Sequence, residues 1–338
     1  MATYKEAGVD IEKGDECSAI AYAYAKQTFS SRKGMKGEPV IIEGGFTGAI
    51  DMGDFYLVQN DDGVGTKMMI AEALGKYDTL GYDLLAMVAD DAACVGAEVI
   101  SISNTIDVEH VDASIIDPLM AGLAKACKEH KIVIPGGEIA ELKDMVNGYV
   151  WNATAVGIVK KEKFITGAGV KEGDTIIGLR SDGFRSNGFT LVRHILKEKF
   201  GDDWVHADYG NGKTWGEMVL TPSKIYHSFI LDLHGRFDEQ PKVDLKAIVH
   251  ITGGGLPGNL KRVLKGANLT NLPEPKEMMR KLKELGNVTD EEAYKTWNMG
   301  VGMVLVSNDV KKIQEIAKKH GIEAQVIGKV AGNVINLS

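Results

Sequence analysis

Apolar residues recur with two different periods along this chain, and the two periods alternate. Short apolar runs bounded by glycine, PVIIEGG and FYLVQN, read as strands. TKMMIAEALG and the segment from about Thr79 to Gly96 place their apolar residues on one helical face and read as helices. EVISISNTI follows as a strand, Ala113 to His130 as another amphipathic helix, IVIPGGE as a strand entering a second glycine turn, and YVWNATAVGIVKK as the strand that closes the unit. This order predicts an α/β or α+β domain. The turn residues of ITGAGVKEG set a boundary between Ile165 and Gly173, so the expected domains are 1–168 and 169–338.

The second half repeats one design twice. DTIIGLR runs as a strand into SDGFRSNG and then the helix FTLVRHILKEKF; AIVHI runs into Gly253-Gly254-Gly255 and then another helix. The first turn of each such helix points unpaired N–H groups at whatever sits above the glycines. The tail reads strand VGMVLV, a Ser307-Asn308-Asp309 cap, a helix with Val310, Ile313, Ile316 and Ala317 on one face, Gly321 as terminator and strand AQVIGKV, an α+β order. The polar span 201–220 reads as an irregular loop.

Composition changes this picture in three ways. A length of 338 residues favours two domains. The 40 glycines exceed the usual share of about 7% and cluster at Gly44-Gly45, Gly63 and Gly65, Gly136-Gly137 and Gly253 to Gly255, which suggests loops shaped around a ligand. A formal charge of -8 argues against a nucleic-acid surface, so an anionic ligand has to be met locally. Cys17, Cys94 and Cys127 have no CxxC spacing, which disfavours zinc and a disulfide framework. No apolar run approaches ~18 residues and MATYKEAGVD lacks a signal-peptide core, so the expectation is a soluble, cytoplasmic protein.

The stretch NDDGVGTKMMI is the first chemical candidate. It lacks the glycine spacing of a Walker A loop and of a dinucleotide-binding turn. What remains is a strand end carrying Asp61 and Asp62, two glycines and Lys67 at a helix start. Carboxylates there would hold phosphate only through a cation such as Mg²⁺; the alternative is an acidic turn with Asp62 as helix cap. In LLAMVADDAACVGAEV, Asp91 falls on the stripe of Leu84, Met87, Val88 and Val95, where a carboxylate is costly unless a cation meets it; alternatively Asp90-Asp91 sits at a solvated rim. Glu138 and Glu141, three residues apart after Gly136-Gly137, would share a face of a starting helix, or simply stabilise its N-terminus. Arg185, Ser186 and Asn187 form a donor-rich turn, and His250 precedes Thr252 and its glycines; both also suit ordinary turns and packing.

Seven pieces in order, YKEAGVDIEKG, DGVGTK, GGEIAE, SNGFTLVR, LTPSKIY, HITGGG with Asn259 and RVL behind it, and NMGVGM, resemble the phosphoribosylformylglycinamidine cyclo-ligase family, the aminoimidazole ribonucleotide synthetases of purine biosynthesis. The resemblance runs nearly the whole chain. It implies an α+β fold of two domains: an N-terminal one with a small mixed or antiparallel sheet, flanking helices and a dimerising face, and a sandwich-like α+β C-terminal one. ATP would lie in the cleft between them and the protein would be a homodimer.

The implied reaction phosphorylates the formyl amide oxygen of formylglycinamidine ribonucleotide, after which the amidine nitrogen attacks and phosphate leaves as the ring closes. The implied metal set for Mg²⁺ is Asp62, Asp91 and Glu138, with Lys67 near the phosphates and Glu141 a weaker catalytic member. Implied ATP or substrate contacts are Lys26 and Thr28 of a candidate lid, Gly44, Gly45, Gly63, Gly65, Thr66, Ser186, Asn187, His250, Thr252, Gly253 and Gly254. Three departures stand out. Arg185 replaces a histidine of many members, Asp90-Asp91 replaces Asn-Asp, and Asn104 replaces a common aspartate. Arginine cannot serve as a base, its pKa exceeding ~12, so Arg185 is expected to contact phosphate or substrate. Related ATP-using families share the architecture: hydrogenase-maturation carbamoyl dehydratase, thiamine-phosphate kinase, selenophosphate synthetase and the formylglycinamidine ribonucleotide amidotransferase.

Overall fold

A computed structural model describes residues 2–42 and 45–337 and contains two six-stranded sheets, one in each half of the chain. The N-terminal sheet is built from β1 (Glu38–Val40), β2 (Gly48–Asp51), β3 (Phe55–Gly63), β4 (Glu98–Val108), β5 (Val133–Glu141) and β6 (Tyr149–Lys160). Its order is β1-β2-β3-β6-β4-β5, antiparallel except for the parallel pair β4 and β5. The helices are α1 (Ile11–Gln27), α2 (Met68–Leu74), α3 (Leu80–Ala93) and α4 (Ala113–His130). Strict alternation of buried and less buried residues along β6 gives the sheet one packed face, against which α3 lies. Helix α3 is buried nearly all round because α4 covers its other side. Gly81 and Gly122 allow that approach: a methyl group on either would overlap backbone of the facing segment.

The C-terminal half contributes β7 (Thr175–Arg180), the hairpin β8 (Asp208–Gly210) and β9 (Lys213–Thr214), β10 (Ala247–His250), β11 (Ala267–Leu269), β12 (Val301–Val306), β13 (Ala324–Val330) and β14 (Ile335–Leu337). The large sheet runs β10-β12-β7-β13-β11-β14. Its helices are α5 (Phe189–Phe200), α6 (Trp215–Val219), α7 (His227–His234), α8 (Gly255–Lys261), α9 (Glu277–Leu285), α10 (Asp290–Thr296) and α11 (Val310–Lys319). Every residue of β12 is buried, as expected for a central strand covered on both faces. Helices α3 and α7 pack together, and one core cluster joins Val88 and Ile102 of the first half to Phe184, Phe189 and Trp297 of the second.

Three expectations change, and the N-terminal segment gains a structure. Gly136-Gly137 lie inside β5 as extended backbone, so Glu138 and Glu141 belong to a strand and not to a starting helix. Of PVIIEGG, only Pro39 and Val40 belong to β1, and Glu43-Gly44 lie outside the described residues. The span 201–220 is ordered: a 3-10 turn, the β8–β9 hairpin and α6, whose Thr214 and Glu217 form a reciprocal capping box. An exposed helix, α1, occupies the N-terminal segment, capped by Asp10, whose side chain accepts from the Lys13 N–H at 3.2 Å. Among the described residues no helix is long and apolar enough to cross a membrane.

Candidate active site

The site grows from three chain segments that converge on α3. β3 ends at Asp62 and Gly63, where the Asp62 carboxylate accepts the Gly63 N–H at 2.7 Å. A methyl on Gly63 would collide with Asn152 of β6, and Gly65 adopts φ +57, so both glycines are required by this strand-to-helix turn. Gly65 also lies against the Ser186 carbonyl, which brings the DGVGTK loop and the SNG turn together. From the far side, Asn187 reaches the Met87 sulfur of α3 and faces Gly253.

Helix α3 carries three carboxylates, two of them fully buried. Asp83 accepts from the Lys67 ammonium at 2.7 Å and from the backbone N–H of Ser223 at 2.9 Å, and the same ammonium donates to the Thr221 carbonyl. Asp90, seven residues on and so on the same helical face, accepts from Arg185 at 2.8 Å and from the N–H groups of Tyr226 and His227 at 2.8 and 2.9 Å. Burial pushes both acids up from the ordinary carboxylate range, and the facing cation opposes the shift. Asp91 points elsewhere. It meets His250 Nδ1 at 2.7 Å, and burial raises it to about 7 against the charges of Arg262 and Arg185. Asp62 is raised to about 6, first by burial and also by the charge of Asp91. The two carboxylates therefore share one electrostatic environment.

His250 is fully buried at the end of β10, lowered to about 3 by burial and then by Arg185. Beyond it, Asn259 of α8 closes the glycine turn by donating to the carbonyls of Thr252, Gly253 and Gly255. Gly255 has φ +60, and a methyl there would overlap the Tyr294 carbonyl. Arg262, just after α8, donates to the Gly45 carbonyl and stacks 3.8 Å above the Phe46 ring. It lines a cavity of about 780 Å³ together with Asn60, Asp61, Gly45 and, from the N-terminal segment, Tyr22 and Phe29. Asn60 is buried there with both amide atoms unpartnered.

Several residues lie away from their expected places. Lys67 is wholly buried in its pair with Asp83, so its ammonium is committed to the protein and is not presented to phosphates. Arg185 is likewise buried against Asp90 and does not face a ligand. Glu138 sits one strand past β4: the register Gly63, Asn152, Thr105, Glu138 puts it three strand spacings, ~14 Å, from Gly63. It cannot join Asp62 and Asp91 in its own chain, and no cluster of three His, Cys, Asp or Glu among the described residues forms a metal cage. Glu141 accepts the Val111 N–H at the far edge. Lys26 lies over the Tyr22 ring and the Thr28 hydroxyl donates to Ala25, both on exposed backbone. Gly44 lies outside the described residues. Asp62, Asp91, Gly63, Gly65, Ser186, Asn187, His250, Thr252 and Gly253 are brought together, with Thr66 and Gly254 in the same two turns.

Of the adjacent acids Asp90 and Asp91, the fully buried one is Asp90, where the apolar stripe pointed to Asp91. A stripe discriminates only when one helix face is solvated, and α3 has none. Asp83, Asp90, Asn259 and Arg262 went unrecognised as site residues; the seven-residue spacing of two acids in an apolar helix was the available signal. Asn104 accepts the Trp151 indole N–H at 3.1 Å, which gives it a structural task.

The chain is similar to known proteins over nearly its whole length. Residues 45–159 match the family profile of the AIR synthase related protein N-terminal domain and 171–335 that of its C-terminal domain. The phosphoribosylformylglycinamidine cyclo-ligase of Methanocaldococcus jannaschii is 40% identical over 338 residues, covering 99% of this chain and 93% of the relative. That of Thermococcus kodakarensis is 39% identical, covering 98% and 96%. Solved structures with the same fold include AaThiL complexed with AMPPCP and TMP, at TM-score 0.59 and 14% identity over 88% of each chain. HypE from the HypE–HypF complex gives 0.61 and 18% over 86% of this chain and 88% of that one.

Proposed function

The chain belongs to the phosphoribosylformylglycinamidine cyclo-ligases, and from that membership we propose how its own residues serve the reaction. The activity is the ATP-dependent cyclisation of formylglycinamidine ribonucleotide to 5-aminoimidazole ribonucleotide, an ATP-dependent ligation in purine biosynthesis. The observation that carries the site reading is the placing of Asp62 at the end of β3 beside the glycine loop and of Asp91 on α3 against His250 of β10, two buried carboxylates that feel each other's charge.

Two carboxylates in this state fit Mg²⁺, which is commonly held by one or two carboxylates while phosphate oxygens and water complete its shell. When bound, the ion would neutralise charge spreading over the transferred phosphoryl group. The rest of the work falls to the protein. The loop Gly63–Thr66 and the turns at Ser186-Asn187 and Thr252–Gly254 orient the reactants through backbone N–H groups, which suit anions without lysine. Arg262 supplies the cationic donor in the cleft, replacing Lys67 in that role. Tyr22 of α1 and Phe29 line the cavity, and folding of this exposed segment over bound ligand would exclude water, with ATP and the ribonucleotide meeting between the halves 1–168 and 169–338.

Two copies pair through the N-terminal sheet, where Ile100, Val133, Ile139 and Val150 are exposed on β4, β5 and β6. Light scattering after size exclusion checks the pairing, with a monomer as the contrary result. Function is tested by incubating the protein with ATP, Mg²⁺ and formylglycinamidine ribonucleotide. Equal yields of ADP and aminoimidazole ribonucleotide, both requiring the ribonucleotide, are expected; well-folded protein yielding neither overturns the reading.

A further inference from the structure

Arg185 sits at φ +63, a backbone state that side-chain-bearing residues rarely adopt, and this turn aims its guanidinium inward and not at the cleft. Its Nη2 bonds Asp90 Oδ2 at 2.8 Å and lies 2.8 Å from His250 Nε2, while Nη1 donates to the Lys224 carbonyl. His250 Nδ1 is in turn 2.7 Å from Asp91 Oδ1. Hydrogen-bond arithmetic then leaves one solution. A guanidinium has five donors and no acceptor, so His250 Nε2 must offer its lone pair. The single imidazole proton is thereby placed on Nδ1, which donates to Asp91.

We propose that Arg185 is a positioning residue: anchored by Asp90, it fixes the tautomer of His250 so that Nδ1–H holds one oxygen of Asp91 and leaves the other for a ligand. This rests on the reading of Asp91 as a cation-binding carboxylate. Carboxylate–histidine contacts of this kind set ligand orientation, and losing one typically costs ~10- to 100-fold in metal affinity. The two sequence departures, Asp90 and Arg185, are on this view one device: the buried acid anchors the cation that orders the histidine.

The test is ¹⁵N NMR of histidine-labelled, metal-free protein, assigned with His250→Gln. The native chain should show a pyrrole-type Nδ1 and a pyridine-type Nε2 for His250. A pyrrole-type Nε2 in the native chain overturns the inference. The neutral pair Asp90→Asn/Arg185→Gln removes both buried charges together, so folding is retained, and thermal melting verifies it. In this folded variant the His250 signals should shift toward a tautomer mixture, and the Mg²⁺ concentration needed for half-maximal ATP binding by calorimetry should rise about tenfold or more. Unchanged tautomer and unchanged Mg²⁺ dependence also overturn the inference. Failure of the underlying reading looks different: Asp91→Asn would leave Mg²⁺ dependence untouched while the native tautomer remained Nδ1–H.

Discussion

Two neighbouring regions of α3 treat the same chemical group in opposite ways. At the floor, Asp83 and Asp90 are buried and each is paired with its own cation and with backbone N–H donation, although Asp83 takes all its bonds on Oδ1 and leaves Oδ2 without a partner. At the mouth, Asp91 meets a histidine kept neutral, and its neighbour Asp62 accepts only from the N–H beside it among the described hydrogen bonds. Burial alone does not mark a functional acid. What differs is the partner: among the described hydrogen bonds Asp62 and Asp91 have no cationic side chain, and burial raises Asp62 to about 6 and Asp91 to about 7.

The largest expected effect breaks the floor. Arg185→Met strands the buried Asp90 charge and should cost ~3 to 5 kcal/mol in urea unfolding, as removing one partner of a buried pair does. Lys67→Met should behave alike through Asp83. If Lys67→Met folds with unchanged stability but loses ATP affinity, Lys67 belongs to the mouth and the division is wrong.

Next comes the mouth. Asp91→Asn should lower kcat/KM at least ~100-fold, a loss of ~3 kcal/mol or more of transition-state stabilisation, while leaving the metal-free fold intact. A variant with normal turnover at limiting Mg²⁺ would remove Asp91 from the chemistry.

A smaller effect is on stability and has a defined sign. A carboxylate whose native pKa lies above the unfolded value binds more protons when folded, so its cost is absent near pH 3 and grows as pH rises toward its native pKa. For Asp62, raised to about 6, Asp62→Asn should therefore melt like the native protein near pH 3 and at higher temperature by pH 7, a gain on the order of 3 kcal/mol. Comparing variant with native at each pH cancels His130, His227 and His250, whose lowered pKa values act in the opposite direction. No pH-dependent difference would contradict the electrostatic account. The smallest contrast is between two glycines of one helix. Gly258→Ala has open space and should be near neutral, whereas Gly255→Ala, at φ +60 against Tyr294, should destabilise measurably in the same unfolding experiment.

Much of this was legible in the sequence. The alternation of strand and helix, the two glycine turns before helices, and seven motifs in order pointed to the α+β architecture and the family. Asp62, Asp91, His250 and the Ser186-Asn187 turn, which the fold brings together, stand out in the sequence because short polar motifs sit beside the strands and helices that present them. Lys67 and Arg185 lie away from their expected places for a physical reason: a cation next to a glycine loop looks like a phosphate ligand until its buried counter-ion is seen. Those partners lie 16 and 95 residues away in the chain. Glu138 was misjudged because Gly136-Gly137 looks like a turn but continues as β5, and register then carries the glutamate across three strands.

The most direct measurement is proton release when MgATP binds near pH 6.5, read by calorimetry in two buffers of different ionisation enthalpy. If Asp62 and Asp91 accept the ion, the native protein should release about one proton more than the Asp62→Asn/Asp91→Asn variant, because raised carboxylates must ionise to bind it. Equal proton release by the two proteins, with equal affinity, would contradict the assignment of these two acids.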